Sequence, residues 1–203
     1  AEGLKFAFEH YRHSMYDCGG ALFWQYNDSW GTIGWSIIDY YLRKKPSYYA
    51  VRRALASPLL VIKAEPRQVH VWLVRDEETS MEGKIIVRWI SFSGRDEILA
   101  KKAFRIRGSG SNNLLSVSLE SDKHSAHAGL VVAELWNGND LVTWNRQFLQ
   151  FPGQLPLGEA PILLKGQKRS DGWELQLECQ RYAWLVWIDA GDDAGLSDNG
   201  FDI

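Results

Sequence analysis

Beyond Pro58 the hydrophobic pattern settles into period two, and this constrains the chain more than any other feature. Val69, Val71 and Leu73 alternate with Gln68, His70 and Trp72, and runs of the same kind recur at short intervals. Alternation puts successive side chains on opposite faces, so each run reads as a strand with one face toward a core. The runs place strands near 59–63, 67–75, 84–93, 97–107, 113–119, 129–136 and 140–151. A polar loop covers Asp76–Gly83 and a turn falls at Ser93–Asp96. Asn137-Gly138, between the last two runs, is a strong signal for a tight hairpin.

Seven antiparallel strands in this span predict an immunoglobulin-like β-sandwich over 59–153. The buried cysteine pair of antibody domains is lacking: Cys18 and Cys179 are the only cysteines, they fall in segments of different character, and they leave the compartment open. A Pro/Gly stretch from Pro152 through Pro161 reads as a connection. After it, Trp173, Leu175, Leu177 and Cys179 alternate with Glu174, Gln176 and Glu178, and Tyr182, Trp184, Val186 and Ile188 continue the pattern. Residues 154–203 are expected to begin a second sandwich, with too few strands to close two sheets.

The first 58 residues have another character, holding half of the chain's aromatic side chains. Leu4, Ala7, Phe8, Tyr11 and Met15 recur at helical spacing until Asp17-Cys18-Gly19-Gly20, which predicts an amphipathic helix over 2–16. Ala21–Tyr26 is a short, continuous apolar run that reads as a strand buried on both faces, as in a parallel sheet. An Asn/Asp/Ser/Gly loop follows, and Pro46 opens a helix through Ala56 that Pro58 stops. A helix, one buried strand and a helix cannot cover their own faces. The segment is therefore expected to pack on the sandwich, on a second copy, or on the rest of a longer chain.

The charge balance of 23 Lys+Arg against 25 Asp+Glu gives a net −2 and disfavours a polyanionic partner, so no nucleic acid is expected. The longest apolar run, Ala183–Ile188, is far short of the roughly 20 residues that cross a bilayer, and no membrane partner is expected. His124 and His127 stand three apart in a Ser/Lys-rich turn and read as surface residues rather than metal ligands. His10 and His13 read as the solvent side of the first helix, and Lys101, Lys102, Arg105 and Arg107 as a solvated strand edge. No phosphate-binding glycine loop is present, and neither a cofactor nor a metal is expected.

Gly20-Ala21-Leu22-Phe23-Trp24-Gln25-Tyr26-Asn27-Asp28-Ser29-Trp30 resembles the last barrel strand of glycoside hydrolase family 2, and in particular its β-mannosidase branch. Trp35–Tyr40, Arg43–Ala50 and Ser197–Ile203 resemble further stretches of the same family. Gly31, Gly34 and Gly200 depart from its usual Pro, Ser and Tyr, which bears on loop shape and on which sugar is preferred. The resemblance implies that 1–58 ends a (β/α)8 catalytic barrel ahead of the sandwiches, in a retaining exo-β-glycosidase acting on terminal β-mannosides or similar sugars. It implies a carbohydrate partner, with the rest of the barrel or self-association covering 1–58. The alternative is a non-catalytic glycan-binding or interaction module built of immunoglobulin-like domains.

Retaining hydrolysis needs two carboxylates about 5 Å apart. Residues 1–58 offer Glu2, Glu9, Asp17, Asp28 and Asp39, and both glutamates fall on the first helix rather than at a strand end. No catalytic residue is therefore assigned, and the chain alone is expected to be inactive. By the resemblance, Trp24 is the aromatic floor for the sugar, against a purely structural role in a buried strand. Asn27 and Asp28, just past the strand, either contact substrate or cap the loop. Gln25 and Trp30 complete the candidate substrate-binding set.

Overall fold

The computed structural model describes residues 1–120, 122–191 and 195–203. Its centre is a sandwich of seven antiparallel strands: β1 (Leu59–Glu65), β2 (Gln68–Arg75), β3 (Met81–Ser91), β4 (Asp96–Ile106), β5 (Gly110–Ser118), β6 (Gly129–Asn137) and β7 (Asp140–Phe148). One sheet has the order β1-β2-β5 and the other β4-β3-β6-β7. Period two sends Leu60, Ile62, Val69, Val71 and Leu73 inward from the first sheet, against Ile85, Val87, Trp89, Val131, Ala133 and Leu135 from the second. A register shift at Val71/Trp72 leaves Leu114 as an extra residue in β5, and it too is buried in this core. The protein is mainly β, as the alternation implies.

The tight hairpin forms where expected. Asn137 pairs with Asp140, and Gly138 takes a φ of 59°, a left-handed value suited to glycine as the first central residue of a two-residue turn. Lys101, Lys102 and Arg105 of the basic run fall on β4, an edge strand, and Arg107 lies just past its end. The loop after β2 is shorter than its polarity suggests, because β3 already begins at Met81.

Before the sandwich lie α1 (Glu2–His13) and α2 (Pro46–Ala54). Pro46 stands in the first turn of α2, where its missing N–H costs nothing. The first helix ends three residues earlier than its spacing predicts. There Ser14 Oγ donates to the His10 carbonyl at 3.0 Å and the chain turns, sending Met15 onto Leu59, Val61 and Val74 on the outer face of the first sheet. The two helices close a small core of Phe8, Ile37, Val51 and Ala54, with Ala21 and Phe23 packed against it.

Four expectations are corrected. Ala21–Tyr26 bends at Trp24 and Tyr26 and joins no ladder; Asn27, just past it, makes an isolated bridge to Ile38. It is buried on one face, not two: Ala21 and Phe23 meet the helices while Leu22, Trp24 and Tyr26 are exposed, because no neighbouring strands are present on that side. This face does not pack on the sandwich. Tyr182–Ile188 is not a strand either. Leu185 has a φ of 53°, which breaks extended geometry, so the segment meets the chain end through the isolated Val186–Phe201 bridge, the Ala183–Ile203 backbone pair and bonds with the Asn199 and Asp202 side chains rather than through a continuous ladder. Its rings cover the outer face of the second sheet, where Tyr182 and Trp184 pack on Phe92, Leu130, Val132 and Phe148. His124 is buried against Trp89, and its Nδ1 accepts the Glu120 backbone N–H at 3.0 Å. His13 packs edge-on against Trp72 instead of facing solvent.

The remaining strands, β8 (Ile162–Lys168) and β9 (Trp173–Cys179), form a separate two-stranded hairpin whose β8 side chains are exposed throughout.

Candidate functional site

The candidate residues lie on a frame made by three passes of the chain, near 25–28, 36–39 and 43–45. Backbone bonds hold it: Ile38 N–H donates to the Tyr26 carbonyl at 3.0 Å, Asp28 N–H to the Ile38 carbonyl at 3.0 Å, and Lys45 N–H to the Ile37 carbonyl at 3.0 Å. A tight turn joins the last two passes, with Arg43 N–H donating to Asp39 Oδ1 at 2.8 Å and Leu42 at a φ of 64°.

On this frame Trp24 and Trp30 project into solvent, 78% and 68% exposed, and Tyr26 and Trp35 share their exposure. Gln25 is half-buried and its carbonyl accepts from Ile37 N–H at 3.2 Å. Asn27 is exposed, and its Nδ2 donates to the Asp28 carbonyl at 3.3 Å. Asp28 differs from the rest in being only 5% exposed. Its Oδ2 accepts from Lys45 Nζ at 2.8 Å, and the same ammonium donates to Ser36 Oγ at 2.7 Å and the Gly34 carbonyl at 3.4 Å. The Lys45 hydrogen bond, followed by that of Ser36, holds the Asp28 carboxyl below its ordinary value. An anion fixed in this way is a poor acid and a poor base. The loop thus brings together stacking surfaces and amides, with its one buried carboxylate occupied by a lysine.

Sequence spacing gave no reason to pair Lys45 with Asp28, 17 positions apart. The available signal was chemical, since a carboxylate in an aromatic-rich loop needs a cation to be buried.

A second polar cluster lies elsewhere, around a cavity of about 240 Å³ between the helices, β7 and the chain end. Arg146 there takes Glu2 in two bonds of 2.7 and 2.8 Å and also bonds Asp202. Asn145 Nδ2 donates to Glu9 at 2.8 Å and to the Leu60 carbonyl at 2.6 Å. These groups satisfy one another and tie elements together. Among the described residues no group of three or more His, Cys, Asp or Glu side chains is arranged to hold a metal ion.

Fold and site together define a mainly β chain of immunoglobulin-like architecture with an exposed aromatic face on an amino-terminal helical segment. Residues 67–152 match the Mannosidase Ig/CBM-like domain, and residues 157–203 match the Ig-fold domain of the Ig_mannosidase family. All of the chain aligns with the "Beta-mannosidase B" proteins of Aspergillus niger, 28% identical, and Emericella nidulans, 27% identical, covering 26% of each. All of it also superposes on a quarter of the β-D-mannosidase of Dictyoglomus thermophilum, with a TM-score of 0.88 and 28% identity. The exo-chitosanase of Amycolatopsis orientalis, at 14% identity and a TM-score of 0.66, shares the fold. The chain is a β-mannosidase-like fragment of glycoside hydrolase family 2 type, and it spans about a quarter of the length of the curated relatives it matches.

Proposed function

We propose that the chain is the C-terminal part of a retaining exo-β-glycosidase acting on terminal β-mannosides. In this reading residues 1–58 end the catalytic barrel, 59–153 form a supporting sandwich and 154–203 contribute to a second. Trp24, Gln25, Asn27 and Trp30 contribute to the sugar-binding end, and Asp28 orders the loop that carries them.

The observation that carries this reading is the two-faced Ala21–Tyr26 segment. Phe8 and Phe23 meet edge-on at 5.6 Å on the helix side, while Leu22, Trp24 and Tyr26 face outward. A barrel strand has one face on surrounding helices and the other toward the barrel interior. Leaving that face in water forgoes about 1.5–3 kcal/mol for each large apolar side chain. In this segment and the loop after it five large apolar side chains, Leu22, Trp24, Trp30, Ile33 and Trp35, are exposed. Their sum is on the order of a domain's whole net stability of about 5–15 kcal/mol, so a covering partner is expected, and the remaining barrel strands fit it. The alternative of a glycan-binding module shares the stacking surface but gives no account of the helices behind it.

The test is hydrolysis of a panel of aryl β-glycosides by this chain and by the longer protein that carries it. The longer protein is expected to turn over the β-mannoside and the chain alone to turn over none. Turnover by the chain alone that disappears on substituting Asp28 or Asp39 would overturn the reading, as would a longer protein inert toward every glycoside.

A further inference from the structure

We propose that Lys45 is a positioning residue for the sugar-facing loop: its ammonium ties the Asp28 carboxylate, the Ser36 hydroxyl and the Gly34 carbonyl into one latch that holds Trp24 and Trp30 in place. The proposal rests on the reading that this face receives sugar.

Burial makes the latch necessary. Asp28 and Ser36 are 5% and 2% exposed, and a carboxylate so withdrawn from water needs a charge partner and hydrogen bonds. An ammonium has three N–H donors and no acceptor, and Lys45 has an oxygen acceptor for each of them. Backbone bonds already hold the passes that carry Asp28 and Ser36 side by side, and the ammonium adds the side-chain tie between them and draws in the Gly34 carbonyl.

Gly34 supports the same conclusion from the steric side. A Cβ at this position would run into Asp28 Oδ1, so the pass through residue 34 lies directly against the carboxylate. This accounts for glycine where the family resemblance leads one to expect serine.

The base of the latch is firm. Lys45 caps α2, its backbone N–H is bonded to the Ile37 carbonyl, and Pro46 fixes the chain direction immediately after it. Helix α2 in turn is packed on α1 through Val51 and Ala54. Lys45 therefore connects a packed helix to the loop between Trp24 and Trp30. With Asp28 turned inward, the surface left for a ligand consists of the aromatic faces and the Asn27 amide, and the buried carboxylate acts through the loop rather than on the substrate.

Amide hydrogen exchange on this chain reads the latch without any sugar. In Lys45→Met the amides of Asp28, Ile37, Ile38 and residue 45 are expected to exchange about tenfold faster or more, while those of β3 and β6 are unchanged. The double variant Asp28→Asn/Lys45→Met, which leaves no unpaired charge, is expected to recover part of the protection. Should Lys45→Met fail to fold, Gly34→Ala serves instead, because it crowds the carboxylate while leaving both charges present; the same four amides are expected to accelerate. Wild-type exchange at these amides would overturn the proposal.

In the longer protein, Lys45→Met is expected to lower kcat/KM for the aryl β-mannoside about tenfold, with partial recovery in the double variant. Faster exchange with unaltered kcat/KM would leave the latch standing and overturn the sugar-site reading.

Discussion

Arg146 is the residue at which three distant stretches of the chain meet. It projects from β7, stacks over Phe148 at 4.3 Å, and joins Glu2 of α1 to Asp202 near the chain end, where Tyr182 Oη also donates to Asp202 at 2.6 Å. Burial pushes the Tyr182 hydroxyl upward, reinforced by the Asp202 charge. For Glu2, burial opposes ionisation, but the hydrogen bonds and charge of Arg146 outweigh it, so its carboxyl titrates below the ordinary 4.5. A carboxyl with a depressed folded value contributes stability that is complete above its unfolded value and is lost as pH falls through the folded one. Glu2→Gln is therefore expected to cost about 1 kcal/mol near neutrality, a figure reduced for its partial exposure, and to lose less stability than the wild type on going from about pH 5 to 3. Thermal unfolding across that range checks it, and parallel curves for the two proteins would contradict it. Nothing in the sequence links Glu2, Arg146 and Asp202, because each is an ordinary charged residue in its own stretch. Asp28 was legible as a residue of interest, whereas its burial under Lys45 depends on a loop closure that spacing does not encode.

At the scale of elements, the seven sandwich strands were legible because their signal is local: alternation specifies a half-buried strand whatever its neighbours. Tyr182–Ile188 carries the same alternation and is not a strand. Its apolar rings are accounted for by the outer face of the second sheet, where they lie against Phe92 and Phe148 at 5.7–6.0 Å. Burial explains the hydrophobicity, and the backbone pairing with the chain end is interrupted at Leu185, so no continuous strand forms. The β8–β9 hairpin is the reverse case, with a clean ladder and almost no buried side chains. A two-stranded hairpin on its own is marginal in water. In this chain its amides are therefore expected to exchange at least about a hundredfold faster than those of β3 and β6, whose hydrogen bonds lie within the core. Equal protection measured by amide exchange would contradict this and indicate packing that the hairpin does not show here.

Across the whole molecule the packing is asymmetric. Strand β6 is buried on both faces, by the sandwich core on one side and by Tyr182 and Trp184 on the other. The helical segment is fastened to the sandwich by Arg12, which bonds the Ala56 carbonyl and reaches Asp76 at 2.7 Å, and by the Arg146 cluster. A segment anchored so firmly on one side and bare and aromatic on the other is built to present that second side. Patches of this kind mark interaction surfaces, and under the proposed function a terminal sugar and the remaining barrel strands would lie there. The most direct measurement is the kinetics of Trp24→Ala in the longer protein. Stacking that sharpens in the transition state predicts a loss of about ten- to a hundredfold in kcat/KM for an aryl β-mannoside, with the unfolding of the sandwich unchanged. A variant within about twofold of the wild type would contradict the claim that this face receives the sugar.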